Sequence, residues 1–471
     1  MTAHAQRTSS SPSGVPLEIS PNPAYVDESL RIRLTGLAPG CKAVLRAATR
    51  DDDDRTWNSH GEFRADSSGH LDLATSPAIS GAYRGVSPMG LFWSMRLADE
   101  LADGRAIFSK TSVTPNRVSL SAEIEGRNVA SASFDRLFLA SGTQTRDLCI
   151  PASALQGNGH ARSHNGGRQS AEDALVARLY LPPSPHGSGA VKPLPVVIVL
   201  GGSGGGFDLD KAAVLSRHGF ATLAIAYFGI PPLPAWLHRI PLDYFEAAFA
   251  WLASQPEVDM NRLGVLGVSR GAELALLLAS TFPQIRVVVA FAPSAVAWAA
   301  GGREKETGED IPAWTYHGEA VPFAPLPLRR FMVRSAIPVV ALRRPVFFRN
   351  LFLSALRNRE AVSRAAIPVE NIRGPILLVS GGDDHLWPAA EMSESILVRL
   401  KRHNFAHAAD HLHYPRAGHM LRYPYLPTTC RASRNPHLRN AKFSYGGTPA
   451  ADAEAQADSW PRAIAFFQNH L

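Results

Sequence analysis

Thiols are scarce in this chain. Its 471 residues include three cysteines, Cys41, Cys149 and Cys430, odd in number, widely separated and without C-x-x-C spacing. That excludes a disulfide framework and a thiolate metal site, and it fits a reducing compartment. Uninterrupted apolar runs of bilayer length are missing, so no membrane span is expected. The opening stretch MTAHAQRTSSSPSG has no apolar core, and no secretory signal is expected from it. A full G-x-G-x-x-G is absent, and Phe207 stands where a Walker lysine would follow Gly206, which argues against a phosphate cradle in the turn Gly201–Gly206. Charged residues make up 19% of the chain with a formal net charge of +7. The basic residues are scattered and form no nucleic-acid motif, so an anionic small ligand is favoured over nucleic acid. The expectation is a soluble, cytoplasmic protein.

What is present has ordinary globular composition, 45% hydrophobic, and enough length for two domains. Residues 1–15 read as a Ser/Pro-containing disordered tail. From Leu17 short alternating runs follow, Leu30–Leu34, Ala43–Ala47, Leu71–Ala74, Ala106–Ser109 and Val118–Ile124, with turn clusters between them. Such spacing predicts a β-sandwich over residues 16–142. The acidic run Asp51–Asp54 lacks EF-hand spacing and reads as a turn cap. Residues 143–471 change style. Continuous apolar strands such as Pro195–Leu200, Ala221–Ala226, Val287–Phe291 and Pro375–Ser380 alternate with helical stretches, the mark of an α/β domain built on a parallel sheet. The alternation lapses over about residues 299–372, a Pro-, Phe- and Arg-rich region that reads as a cap over the carboxyl ends of the strands.

The centre of this half is Gly267-Val-Ser-Arg-Gly271, placed where an apolar strand meets a helix. A nucleophile elbow needs a serine on a sharp strand-to-helix turn with small residues at both flanks, and Ser269 has that setting. A serine hydroxyl needs a base, and the base needs a carboxylate to hold its tautomer. His419 follows a short strand and a glycine turn, and the loop after Leu377–Ser380 carries Asp383 and Asp384. Asp384 is preferred because it precedes Pro388 by four positions, with Asp383 left to cap the loop. The order Ser269, Asp384, His419 is that of an α/β-hydrolase. Oxyanion donors are expected from the backbone of Arg270 and of the glycine-rich turn, at Gly202 or Ser203. His411 and His413 share one face of the strand leading to His419, but no third metal ligand is apparent, so neither metal nor cofactor is expected.

The elbow, Leu200-Gly-Gly-Ser-Gly-Gly205, Gly374-Pro-Ile-Leu-Leu-Val-Ser-Gly-Gly-Asp-Asp384 and Tyr414-Pro-Arg-Ala-Gly-His419 together resemble the catalytic domain of the acyl-CoA thioesterase / bile acid-CoA:amino acid N-acyltransferase family. The segments Asp27–Gly40 and Ser87–Ser94 are similar to that family's immunoglobulin-like domain. The resemblance implies an immunoglobulin-like domain before an α/β-hydrolase domain, an acyl-CoA substrate, an acyl-enzyme intermediate, and Ser269, Asp384 and His419 as the triad. The family's transferases use cysteine and its thioesterases typically serine, so Ser269 favours hydrolysis to free acid and coenzyme A, and the basic balance and the cap arginines suit the phosphates of coenzyme A. Acyl transfer to an amine, hydrolysis of an ester or lactone, and a non-enzymatic interaction role are the alternatives. Residues 154–170 read as a loop added to the family pattern.

Overall fold

The computed structural model of the protein describes residues 14–98, 107–151, 174–183, 192–304, 307–342, 344–434 and 442–471. Most of the tail expected over 1–15, the added loop at 154–170 and Arg343 lie outside the described residues. The chain divides into two compact units, one of Met1–Lys110, Thr114–Phe138 and Pro424–Cys430, the other of Thr111–Val113, Leu139–Tyr423 and Arg431–Leu471.

The first unit is built from two sheets. Two of its long strands alternate strictly. In Lys42–Arg50 the side chains of Ala43, Leu45 and Ala47 are buried while Lys42, Arg46 and Arg50 face water, and in Thr56–Arg64 Trp57 and Phe63 are buried. The period of two sorts apolar from charged side chains between the faces. Of the expected strand at Ala106–Ser109, Ala106 lies outside the described residues and 107–109 carry no ladder; Phe108 is buried against the Trp57 ring with centroids 5.5 Å apart, so its apolar character serves the core. Asp51 accepts the amides of Asp53 and Arg55 and the Trp57 indole N–H, and so caps the acidic turn.

Pro424–Cys430 belongs to this unit, although the sequence boundary assigned it to the C-terminal domain. Leu426 is buried there, and the Thr428 amide donates to the Trp93 carbonyl over 2.9 Å. Arg136, itself buried, donates to the carbonyls of Tyr25, Val26 and Glu28 and stacks over the Phe92 and Tyr425 rings. Nothing local in residues 424–430 announces this; the partners lie some three hundred residues earlier in the chain.

The second unit carries an eight-stranded sheet: β1 (Gln144–Ile150), β2 (Leu175–Leu181), β3 (Leu194–Leu200), β4 (Ala221–Ala226), β5 (Val258–Val268), β6 (Ile285–Phe291), β7 (Ile376–Gly381) and β8 (Ala409–Tyr414). They lie in the order β1-β2-β4-β3-β5-β6-β7-β8, with β2 antiparallel to both its neighbours and the remaining pairs parallel. This is the α/β-hydrolase fold. Val196–Leu200 and Ala221–Ala226 are buried throughout, which is why these strands read as unbroken apolar runs. Among the described residues five helices pack with the sheet: α1 (Leu209–Ser216), α2 (Asp243–Ala253), α3 (Arg270–Thr281), α4 (Ala389–Arg402) and α5 (Pro449–His470). In α4 the buried Ala389, Met392, Ile396 and Leu400 recur at helical spacing and form its inner stripe. Between β6 and β7 the chain leaves the sheet, making short strands at Ala299–Arg303, Asp310–Pro312 and Trp314–Tyr316 and helical segments between Leu328 and Ala365. These gather a core from Trp298, Phe331, Val346 and Leu351 that Trp387 of the loop after β7 and Ala389 and Met392 of α4 complete.

Gly374 lies two residues before β7, where a Cβ would overlap the Arg286 carbonyl at the head of β6. Since backbone cannot yield as a side-chain tip does, Gly374→Ala is expected to destabilise the protein by about 2 kcal/mol or more, read from the urea midpoint.

Candidate active site

The parallel strands bring three loops together at their carboxyl ends. β5 ends at Val268 and α3 begins at Arg270, leaving Ser269 alone in the turn with φ 58° and ψ −120°. A positive φ costs a non-glycine residue about 1–3 kcal/mol, and the surroundings must impose it. They do so in two ways. The Ser269 amide donates to the carbonyl of Phe291 at the end of β6, 2.9 Å away. The flanking glycines close the rest of the space: a Cβ on Gly267 would overlap the Gly271 carbonyl, and one on Gly271 would overlap the carbonyls of Gly201 and Leu200.

His419 comes from the loop after β8 and Asp384 from the loop after β7. The Ser269 Oγ lies 3.1 Å from His419 Nε2, and His419 Nδ1 lies 2.7 Å from Asp384 Oδ2. The second carboxylate oxygen of Asp384 accepts the amides of Leu386 (2.8 Å) and Trp387 (3.1 Å). Asp384 is 1% exposed and His419 5%. With Nδ1–H donated to the carboxylate, Nε2 presents its lone pair to the serine hydroxyl. Asp383 is turned elsewhere: it meets His385 Nε2 at 3.0 Å and accepts the Gly447 amide at 2.9 Å. The structure thus brings Asp384, and not Asp383, to the histidine.

Gly202 runs beside the serine. A Cβ placed on it would sit 3.4 Å from Ser269 Cβ and 3.9 Å from Oγ. The Arg270 amide is the first of α3, where helical N–H groups have no intrahelical acceptor and the helix dipole favours negative charge. Ser203 follows Gly202 as an exposed residue of the same turn. The Arg270 side chain is engaged away from solvent: it pairs with Glu273 at 2.8 Å, donates to the Trp298 carbonyl at 3.2 Å and lies over the Trp314 ring. Glu273 is fully buried and also accepts the Trp298 amide and the Trp314 indole N–H. Burial pushes its carboxyl above the usual range, with Arg270 opposing the shift. Only the backbone of Arg270 is left to face a substrate.

His411 and His413 stack with ring centroids 5.6 Å apart, and His411 Nε2 meets Ser380 Oγ at 2.7 Å. Burial lowers His411 to about 4, so its ring is neutral near pH 7. Among the described residues no three His, Cys, Asp or Glu side chains gather as a metal site.

Three further residues hold His419 in place. Its own amide donates to the Tyr445 carbonyl at 2.8 Å. On α5, Asp452 Oδ1 accepts the amide of Gly418 at 2.7 Å, and Gln456 Nε2 donates to the carbonyl of Met420 at 2.7 Å. Residues four apart on one helix face therefore grip the peptides on either side of the histidine. In sequence they look like any polar pair, whereas Glu273 carries a legible signal as the one acid in the apolar run Ala272–Ala279.

Comparison with known proteins bears on this site. Residues 240–471 match the family model described as BAAT / Acyl-CoA thioester hydrolase C terminal, and residues 27–149 match the Acyl-CoA thioester hydrolase/BAAT N-terminal region. Mitochondrial acyl-coenzyme A thioesterase 2 of Mus musculus is 32% identical over 94% of this chain and 87% of its own length. The chain belongs to the BAAT / acyl-CoA thioester hydrolase family. Peroxisomal succinyl-coenzyme A thioesterase of Mus musculus is likewise 32% identical, over 94% of each chain. A solved putative dienelactone hydrolase from Klebsiella pneumoniae aligns with 70% of this chain and 99% of its own at 16% identity and a TM-score of 0.39. The match over residues 240–471 takes in Ser269, Asp384 and His419 together with the Asp452–Gln456 grip.

Burial pushes the Asp452 carboxyl from 3.8 up to about 7, the nearby Asp383 and Asp384 adding to the effect and the Gly418 amide and Arg431 opposing it. A carboxyl raised in the folded state stabilises fully below its unfolded pKa, and that contribution is lost as pH rises to about 7. Asp452→Asn, which keeps an oxygen for Gly418, is therefore expected to gain stability on the wild type as pH climbs from 4 to 7, read from paired urea titrations. Asp452→Ala frees the loop, and the rate at which a fluorophosphonate labels Ser269 is expected to drop by about tenfold while the asparagine variant holds it.

Proposed function

We propose that this protein hydrolyses acyl-CoA thioesters to the free acid and coenzyme A through a serine acyl-enzyme. The observation that carries the reading is the hydrogen-bonded series Ser269 Oγ, His419 Nε2, His419 Nδ1, Asp384 Oδ2 at the carboxyl ends of β5, β7 and β8. The names of the relatives, acyl-CoA thioesterases matched over nearly the whole chain, supply the substrate class.

The steps follow from the positions. Ser269 Oγ attacks the thioester carbonyl carbon while His419 Nε2 takes the hydroxyl proton. Negative charge grows on the carbonyl oxygen, for which the backbone amides of Arg270 and of Gly202 or Ser203 serve as donors. The C–S bond breaks, the thiolate leaves with the proton from His419, and an ester to Ser269 remains. Water then attacks that ester, giving its proton to His419 and restoring the serine hydroxyl. Asp384 stays ionised and holds the imidazolium in register at each stage. The insertion between β6 and β7 acts as the cap, and the N-terminal unit as an immunoglobulin-like companion domain. One of these relatives is named as mitochondrial and the other as peroxisomal, so compartment varies within the family.

Free thiol released from a panel of short, medium, long and branched acyl-CoAs tests the reading. Ser269→Ala is expected to lose kcat by roughly a thousandfold or more, and Asp384→Asn by something on the order of 10^4 through the wrong histidine tautomer, with Asp383→Asn far milder. Hydrolysis surviving in Ser269→Ala would sink the proposal. Added glycine or taurine is expected to leave the product as free acid; an amide product would move the protein to acyl transfer.

A further inference from the structure

The insertion between β6 and β7 has a surface composition unlike the rest of the chain. Residues 320–359 hold eight arginines and neither an aspartate nor a glutamate. Of the large apolar side chains exposed among the described residues, Val333 (61%), Ile337 (55%), Leu342 (68%) and Phe347 (45%) fall in this one stretch. Scattered apolar residues at a surface need no explanation, but a cluster does.

The backbone sets them side by side. Leu328–Phe331, Met332–Ala336 and Ile337–Ala341 run as one continuous helical segment. Its middle is a π turn just ahead of Pro338, whose missing N–H removes one α-helical hydrogen bond. Phe331 and Ala336 point inward and are buried. Arg329, Arg330, Val333, Arg334, Ile337 and Ala341 are exposed. At helical spacing Arg329, Val333, Ile337 and Ala341 form one row, with Arg330 and Arg334 in the next. The arginines border a shallow depression floored by Pro327 and Val333. No carboxylate among the described residues pairs with Arg329, Arg330 or Arg334. Beyond the helix, Phe347 stacks on His385 at 4.2 Å and the Arg349 amide donates to the His385 carbonyl, so the patch reaches the loop that carries Asp384.

We propose that this helical face docks on an anionic lipid surface, lying in the interface with Val333, Ile337 and Leu342 at the acyl boundary and Arg329, Arg330 and Arg334 on the headgroup phosphates. An apolar row with arginines beside it has the form of an interfacial helix, since guanidinium groups on long stems reach the phosphates while the apolar side chains sit deeper. A second copy of the chain is a poorer occupant, because it would set unneutralised guanidiniums against one another. A free phosphate would satisfy the arginines and leave the apolar row in water. The inference is independent of the hydrolase reading, as it rests on the outer face of the insertion alone.

The test is co-sedimentation of the full chain with vesicles of phosphatidylcholine, and with vesicles of equal parts phosphatidylcholine and phosphatidylglycerol. The wild type is expected to pellet with the anionic vesicles, to stay in solution with the neutral ones, and to be released by salt. The double variant Val333→Asp, Ile337→Asp and the triple variant Arg329→Glu, Arg330→Glu, Arg334→Glu should each lower partition by about tenfold or more at an unchanged Tm. A wild type that ignores anionic vesicles overturns the proposal without recourse to any variant. So does a variant that pellets as the wild type does, or a wild-type dimer that the aspartate substitutions dissolve, which would make the face a contact between copies.

Discussion

The site depends on one forced backbone geometry. Ser269 is held at positive φ because β5 and α3 meet with no room between them, and the only atoms that fit at the flanks are the hydrogens of Gly267 and Gly271. The turn lifts the hydroxyl off the end of the sheet and leaves the first amides of α3 beside it. Its strain, about 1–3 kcal/mol, is borne by neighbours that cannot move: the Phe291 carbonyl above the Ser269 amide, and beneath it the buried carboxylate of Glu273 joined to Arg270, Trp298 and Trp314. A buried charge left alone would be costly, so that carboxylate ties the elbow to the first residues of the insertion.

The rest of the site repeats the same economy of backbone anchoring. Asp384 has one oxygen on His419 and the other on two amides of its own loop, which fixes the carboxylate before the histidine needs it. His419 is fixed through its neighbours, with Gly418 and Met420 gripped from one face of α5 and its own amide bound to Tyr445. A hydroxyl, an imidazole and a carboxylate from three loops act together only if each loop is held to a fraction of an ångström, and backbone hydrogen bonds from packed elements do that better than side-chain contacts among mobile groups. The insertion reads as two surfaces. Its inner side packs Trp298 into a core shared with Trp387 of the loop after β7, and its outer side carries arginine and exposed aliphatic residues.

Some of this was legible in the chain and some was not, for reasons that can be named. The α/β architecture of the second unit is legible in its central strands, apolar along nearly their whole length, because a parallel sheet buried on both faces leaves few polar positions there. The elbow is legible because glycine at two fixed spacings has a steric cause, and the serine, acid and histidine follow in the order the fold requires. The sequence by itself also carried the family resemblance, since the motifs that express it are local runs of residues. Tertiary structure alone decided the rest. It seated Leu426 in the N-terminal unit, placed Phe108 in that unit's core, and made Asp452 and Gln456 a grip on the histidine loop. Each of these is a contact between residues far apart in the chain, and the distance between two side chains is set by the packing of whole elements, which no local pattern encodes.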